Sequence, residues 1–558
     1  MMETISNSAP WIALILGYGT LTHGIIFLND GLYWDGWLVD LWQQNKDSNS
    51  MRRFYSEVGM PSLYLEHWTV GRFPRRHLAY RTISFFSLLL MAVSVFLTAV
   101  HTNAFDPLQA SVISLLLLSY PAYAVTFDGV VSLQYTFKVA LFYAGCFLAL
   151  TTVNAFDGID ILVFALSLAL FLIAFNANSL LVYFCGFLLY YAWVLHTTSP
   201  DGLDARELAK LLSLTVLPLA YWFIKEAYAP RHGYYDGYNR IRVTPLSLLR
   251  VGLLSFRHGI DVPMIKPILE LIRSKNTFLL VAGVLLGSFV HEISGNRAAM
   301  PALEALQIVV TGYALLFLGA APFMLVGQSP AEGGWASKNL MLFHLPFAMV
   351  VFGWLQFVPS SYGIALIPVI LLANTLYIVK THLLYIAVSV KDKALVQWLK
   401  ANAQLSTASV IKIRDLHWMA YPFERKETMF RPAYLSCMVK RIWPDSRILA
   451  ILDNWGTSAR RALTPAEIEQ ALEDTTIRYS FAPQVQTGPQ YLVTITAPVE
   501  GQDAAGGDEG FDDNGDVDPS KQRIMIKMAL EYLFLKWISP DPRRNLFGKY
   551  FAFSASKL

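Results

Sequence analysis

The sequence predicts an all-α polytopic membrane domain of about eleven transmembrane helices, followed by a C-terminal α+β soluble domain. Three observations predict it. Only 15% of the residues are charged and 54% are hydrophobic, where a soluble chain would carry roughly a quarter charged residues. The apolar residues gather in runs of about twenty, the length that crosses a bilayer as a helix. Beyond about residue 389 these runs stop, and mixed strand and helix patterns replace them.

The runs lie near 10–28, 80–100, 111–127, 135–152, 161–176, 179–197, 208–228, 276–293, 305–327, 339–358 and 362–388. Each must satisfy its own backbone hydrogen bonds in lipid, so helix is the only reading. The runs at 111–127 and 161–176 are short. The last holds Asn374, Lys380 and His382, which predicts that it ends at an interface. The opening "MMETISNSAPW" has no basic n-region, so the first run reads as a retained helix and not a cleaved signal. These features divide the chain into a membrane domain, 1–388, and a soluble domain, 389–558.

The connections are unequal. The side reached after the first run receives 29–79, 229–275, a short Gly-rich loop at 328–338 and the tail. The other side receives only short links. The large loops are basic, with Arg52, Arg53, Arg72, Arg75 and Arg76 in the first and Arg231, Arg240, Arg242, Arg250 and Arg257 in the second. The positive-inside rule assigns such loops to the cytoplasm, with less force for loops of this length.

In the tail, "SRILAIL" and "QYLVTITAPV" read as strands. "TPAEIEQALED" reads as a helix with Thr464 as N-cap, Pro465 at the first helical position and Glu467 three residues past the cap. A Gly/Asp-rich insert at 500–520 reads as disordered. Its Asp512, Asn514 and Asp516 resemble the start of a calcium loop, but Val517 stands at the turn position that needs glycine and Arg523 where the bidentate Glu should be. Cys146, Cys185 and Cys437 form neither a disulfide framework nor a metal spacing. "HEISG" at His291 lacks the second histidine of a zinc helix, and no phosphate-binding P-loop is present. Nucleic acid is not an expected partner for a membrane chain of net charge +3.

The stretch "FLNDGLYWDGWLVDLW", Phe27 to Trp42, carries the chemistry. Asp30 and Asp35 sit among Tyr33, Trp34 and Trp37 just past the first run. The rings suit an interfacial belt. Trp37, Leu41 and Trp42 recur at near-helical spacing, which suits a helix lying along the membrane surface. Carboxylates under such a roof lose water, which raises their pKa and fits them for proton transfer.

One span, then Asp35-Gly36-Trp37, a surface helix, Gly59-Met60-Pro61 and Tyr80-Arg81 entering the second span resemble the start of the GT-C-type glycosyltransferases, which use polyprenyl-phosphate sugars. The resemblance covers about the first hundred residues. It implies an extracytoplasmic first loop whose Asp35, or Asp30 in its place, is the catalytic base. It implies a second acid on the same side, which falls on Asp128 in "TFDGVV". An Asp-Gly turn explains Asp128 equally. Asp128 would orient the acceptor or a divalent metal, and both readings stand. The expected partners are membrane lipid, a polyprenyl-phosphate-sugar donor and a glycan, lipid or protein acceptor, in a multi-pass bacterial inner membrane.

Arg231, Tyr235, Arg240 and Arg242 in "APRHGYYDGYNRIRV", with Arg81, are the candidates for the donor phosphate, because a guanidinium fork meets phosphate with two parallel hydrogen bonds. Contact with lipid headgroups explains the same loop equally. A transporter or flippase of lipid-linked precursors is the second reading of the chain. A membrane O-acyltransferase is the third, with His344 or His382 as its intramembrane histidine.

Overall fold

The computed structural model describes the chain except residues 1, 156, 199–203, 238–239, 242–243, 274–280, 282, 284–299, 418–431, 454–460, 474–484, 498–518 and 539–542. The described residues form two compact units. The first comprises Met1–Ile26, Tyr80–Arg231 and Gly237–Val379; the second comprises Phe27–Ala79, His232–Asp236 and Lys380–Leu558. The division does not follow the expected boundary at 388. Nearly the whole first loop and a short piece of the second group with the tail.

The first unit is helical. Among the described residues, seven helices are long and apolar enough to cross a membrane: Ser8–Phe27, Arg76–His101, Gly129–Thr151, Ser179–Thr198, Ala205–Tyr228, Ala302–Val326 and Ala365–Ala401. Pro107–Leu118, Gly158–Ala174 and His344–Leu355 are apolar but shorter. The runs expected at 111–127, 161–176 and 339–358 correspond to these three. The run at 276–293 lies almost wholly outside the described residues.

We number the helices that lie wholly or partly in this unit α1 (Met2–His23), α5 (Arg76–His101), α6 (Pro107–Leu118), α7 (Gly129–Gln134), α8 (Thr136–Thr151), α9 (Gly158–Ala174), α10 (Ser179–Thr198), α11 (Ala205–Tyr228), α12 (Pro245–Phe256), α13 (Val262–Arg273), α14 (Ala302–Val326), α15 (His344–Leu355) and α16 (Ser360–Ala401). The chain sets their starts with short acids. Asp106, followed by Pro107, forms a reciprocal cap with Gln109, and Asp157 does so with Asp160. α6 has 12 residues and at about 1.5 Å per residue is about 18 Å long, so the apolar run continues past its end. The buried stretch that follows, Ser119–Phe127, ends in a 3-10 turn, Ala124–Phe127, and packs on the 3-10 helix Trp335–Leu340 and the residues before it: Ala124 donates its N–H to Ser337 Oγ at 3.1 Å, and Gly333 donates to the carbonyl of Ala122 at 3.1 Å. Backbone that departs from the α-helix within an apolar run must be buried in protein, and here it is.

In the second unit the first loop folds as α2 (Gly36–Gln44), α3 (Ser48–Glu57) and α4 (Pro61–Gly71). The expectation of a surface helix fails for α2. Trp37, Leu38, Val39, Leu41 and Trp42 are all buried. A helix with apolar residues on most of its faces has little solvated surface to offer and must be enclosed. Its enclosure comes from the tail, whose helix α17 (Pro432–Ile442) packs on it.

The tail carries one four-stranded sheet in the order β2-β1-β3-β4, from β1 (Val410–Asp415), β2 (Leu449–Leu452), β3 (Gln490–Thr496) and β4 (Ala552–Lys557). β1 runs parallel to β2 and β3, with Val410 opposite Leu449 and Gln490; β4 runs antiparallel to β3, with Tyr491 opposite Lys557. Both expected strands are present. So is the expected helix, α18 (Pro465–Glu473). Thr464 N–H donates to Glu467 Oε2 at 2.8 Å, and Glu467 N–H donates back to Thr464 Oγ1 at 3.3 Å. Leu463 and Ala471 close this helix over Val410, Leu449 and Ile451. The final apolar run is α19 (Pro519–Ile538), followed by α20 (Arg543–Tyr550). "DKALVQWLKANAQL" continues α16 for most of its length, because nothing in it breaks a helix before Asn402. The insert at 500–520 lies almost wholly outside the described residues.

Candidate functional site

The stretch after Phe27 folds into a cradle in the second unit. Asn29 is buried, and its Oδ1 accepts from the N–H of Gly31 at 3.1 Å and from the hydroxyl of Tyr33 at 2.9 Å. That hydroxyl also lies 2.8 Å from the carbonyl of Tyr385. The rings of Tyr33, Trp34 and Tyr385 pack on one another with centroids 5.2–6.0 Å apart. Inside this cluster Trp34 has φ +43°, the left-handed region that a bulky side chain rarely enters. Such strain persists only where surrounding contacts enforce it, and it gathers at functional sites.

Asp35 follows directly. It is the N-cap residue of α2, yet its side chain makes no capping hydrogen bond. Its Oδ1 accepts from the hydroxyl of Tyr434, at 3.3 Å, and the residue is half-buried.

Asp30 has a different fate. Its Oδ1 pairs with Lys393, and its Oδ2 accepts from Lys536 Nζ and from the Tyr532 hydroxyl, both at 3.0 Å. Burial would push this carboxyl up. The two ammonium groups outweigh burial and hold it well below the usual carboxylate range. The upward shift expected for carboxylates of this loop is therefore reversed at Asp30.

Asp40, one turn beyond Gly36, was not singled out by the sequence. It is 1% exposed, and two guanidinium groups and an imidazole converge on it: Arg76 Nη2 at 2.8 Å, Arg441 Nη1 at 3.3 Å and His77 Nε2 at 3.1 Å. Burial opposes ionisation, but His77, Arg441 and Arg76 bring the carboxyl down to about 2. Arg441 also stands over the Trp37 ring at 5.8 Å. In the loop 229–275, Tyr235 sets its ring edge-on to Phe54 at 5.8 Å, and His232 donates its N–H to the carbonyl of Glu57 at 3.3 Å. Tyr235 thus anchors its loop to α3.

Asp128 belongs to the first unit and is buried there. It caps α7: its Oδ1 accepts from the N–H of Val130 at 2.8 Å and of Val131 at 3.3 Å. The next residue, Gly129, lies so close to α5 that a Cβ on it would stand 3.1 Å from Arg81 N and from the Tyr80 carbonyl carbon. The structure therefore brings Asp128 and Arg81 to one place. Ser84 and Ser132, with their hydroxyl oxygens 2.7 Å apart, hold α5 and α7 together beside them. Nearby on the chain, Lys138 is fully buried. Glu332 of the Gly-rich loop pairs with Lys266 at 3.4 Å and accepts from the hydroxyl of Tyr377. Arg231 is half-buried in the same unit, Arg240 is exposed, and Arg242 lies outside the described residues. Among the described residues no group of three or more His, Cys, Asp or Glu side chains is arranged to hold a metal ion.

His344 is buried between the rings of Tyr120 and Tyr123, with Nδ1 3.1 Å from the carbonyl of Met341. His382 is buried in the second unit. His291 lies outside the described residues.

No protein-family model matches the chain, and no curated protein matches it in sequence. The residues that the sequence reading missed are those that meet the first loop from far along the chain: Lys393, Tyr434, Arg441, Tyr532 and Lys536. Arg76 and His77 were legible only as part of the basic run "GRFPRRH".

Proposed function

We propose that the chain is a GT-C-type integral-membrane glycosyltransferase of a bacterial inner membrane. It crosses that membrane about eleven times, a reading that the seven long apolar helices and the three shorter ones support. It moves a sugar from a polyprenyl-phosphate donor to a hydroxyl of a glycan, lipid or protein acceptor on the extracytoplasmic face.

One observation carries the reading. Asp35 is a half-buried carboxylate that accepts from the Tyr434 hydroxyl, directly after a strained Trp34 that a buried aromatic cluster holds in place. Asp35 is the general base on the acceptor hydroxyl. Attack at the anomeric carbon inverts it and expels the lipid phosphate, and guanidinium groups offset the charge that grows on the leaving oxygen. Arg231, Arg240 and Arg242 are the sequence's candidates for that contact. Asp30 serves less well as a base, because a carboxylate held far below its usual range by two lysines takes up a proton poorly.

The test is transfer of label from polyprenyl-phosphate hexoses by the purified full chain. Asp35→Asn is expected to abolish transfer while thermal unfolding stays near wild type. Full activity in that variant would remove Asp35 from the mechanism.

Transport of the same lipid-linked substrate is the second reading. Buried polar groups inside the first unit favour it: Tyr18 and Thr22 each hydrogen-bond Thr375, and His23 and Asn374 are buried beside them on the same helices.

A further inference from the structure

The two guanidinium groups on Asp40 carry more charge than one carboxylate can balance. Arg76 and Arg441 supply two positive charges, and His77 supplies a third when protonated. Asp40 cancels one. The surplus is not fully solvated: the side chains of Arg76 and Arg441 are 24% and 35% exposed. A stable arrangement of this kind calls for a further anion.

The guanidinium forks are already oriented for one. Arg76 places Nη2 on Asp40, and its Nε is buried with no partner among the described residues. Arg441 meets Asp40 through Nη1. Each fork therefore retains donors that Asp40 does not occupy. Arg76 also opens α5, whose first turn holds no acidic residue. The N–H groups of that turn lack intrahelical partners and favour negative charge.

The place on the chain says which anion. α5 is a candidate span from its first residue. Beside it, Leu65, Trp68, Phe73 and Leu78 are exposed apolar side chains, and Arg72 lies over the Trp68 ring at 3.4 Å. Exposed apolar groups interleaved with arginine at the mouth of a span mark the level of lipid headgroups.

We propose that Arg76, His77 and Arg441, set by Asp40, form a seat for the phosphate of a lipid phosphomonoester. The proposal requires a membrane chain and a lipid phosphate. It does not require sugar transfer.

The experiment measures binding of farnesyl phosphate to the full chain in phosphatidylcholine nanodiscs by native mass spectrometry. Saturable binding of one molecule is expected. Arg76→Gln and Arg441→Gln should each weaken it about tenfold, the value of one charge-assisted hydrogen bond. Farnesol should not bind, and inorganic phosphate should bind at least about tenfold more weakly than the lipid. Arg441→Lys keeps a cation on Asp40 and so preserves the fold, but it loses the fork and should weaken binding several-fold. Thermal unfolding of every variant separates lost binding from lost folding. Wild-type binding in Arg441→Lys and Arg441→Gln overturns the seat, as does equal binding of farnesol. Inorganic phosphate binding as tightly as the lipid overturns the lipid assignment. Binding without any transfer would leave the seat standing and remove the glycosyltransferase reading.

Discussion

Asp30 Oδ2 lies 3.0 Å from Lys536 Nζ, although 506 residues separate them in the chain. With Lys393 and Tyr532 this carboxylate ties the start of the first loop to the last long helix of the tail. Losing it should therefore loosen the second unit. Asp30→Asn is expected to lower stability by about 1–3 kcal/mol, because two ammonium groups lose a charged acceptor. Double-mutant cycles should give a larger coupling with Lys393→Met than with Lys536→Met. The Lys393 side chain is 27% exposed and that of Lys536 is 41% exposed, and solvent screens the second pair more. Equal and negligible couplings would show that the tie contributes nothing.

Asp40 gives the second unit a pH dependence of definite sign. Its folded-state value of about 2 lies below the usual 3.8. The stability it contributes is thus fully present above about pH 4 and is lost as pH falls through about 2. The shift corresponds to about 2 kcal/mol. Chemical unfolding followed between pH 5 and pH 2.5 should show wild type losing stability faster than Asp40→Asn. The variant begins lower, since it leaves Arg76 and Arg441 without their anion. Identical slopes for the two proteins would place the pH dependence elsewhere.

The strained turn has a steric test. A Cβ on Gly31 would stand 2.9 Å from Ser389 Cβ and would overlap the Tyr33 phenol. Tyr33 cannot yield without leaving Asn29 and the Tyr385 carbonyl. Gly31→Ala is expected to destabilise by about 1–3 kcal/mol and to expose the Trp34 region to limited proteolysis. A variant as stable and as resistant as wild type would mean that the cradle does not hold Trp34 in its strained conformation.

What the sequence shows and hides follows from the range of the interactions. Thr464 and Glu467 are three residues apart, so their reciprocal cap can be read directly from "TPAE". The apolar runs and the strand "QYLVTIT" carry their own periodicity. Asp40 shows the opposite case. In "WLVDLW" it looks like the polar side of a surface helix, yet it is buried. Its partners Arg76 and Arg441 lie 36 and 401 positions away, and no local pattern announces them. The expectation of raised carboxyl pKa values failed at Asp30 for the same reason. Desolvation is visible from an aromatic-rich loop, but Lys393 and Lys536 are not.

The composition of the second unit fixes one aspect of topology. The loop residues 28–75, His232–Asp236 and the tail after Ala401 share that unit, so all three are expected on one side of the membrane. Single cysteines at Asn49 and Ser554, in a background lacking Cys146, Cys185 and Cys437, should react alike with a membrane-impermeant thiol reagent; both native residues are exposed. A cysteine at Thr198, at the far end of α10, should behave oppositely. Labelling of Asn49→Cys and Ser554→Cys on intact cells would place Asp35 and the Asp40 cluster outside, where a polyprenyl-phosphate sugar is used. Labelling only after lysis would show that the basic loops obey the positive-inside rule, and the extracytoplasmic transferase reading would fall. If the two positions label on different sides, the first loop and the tail do not form one unit, and the ties at Asp30 and Asp40 fall with it.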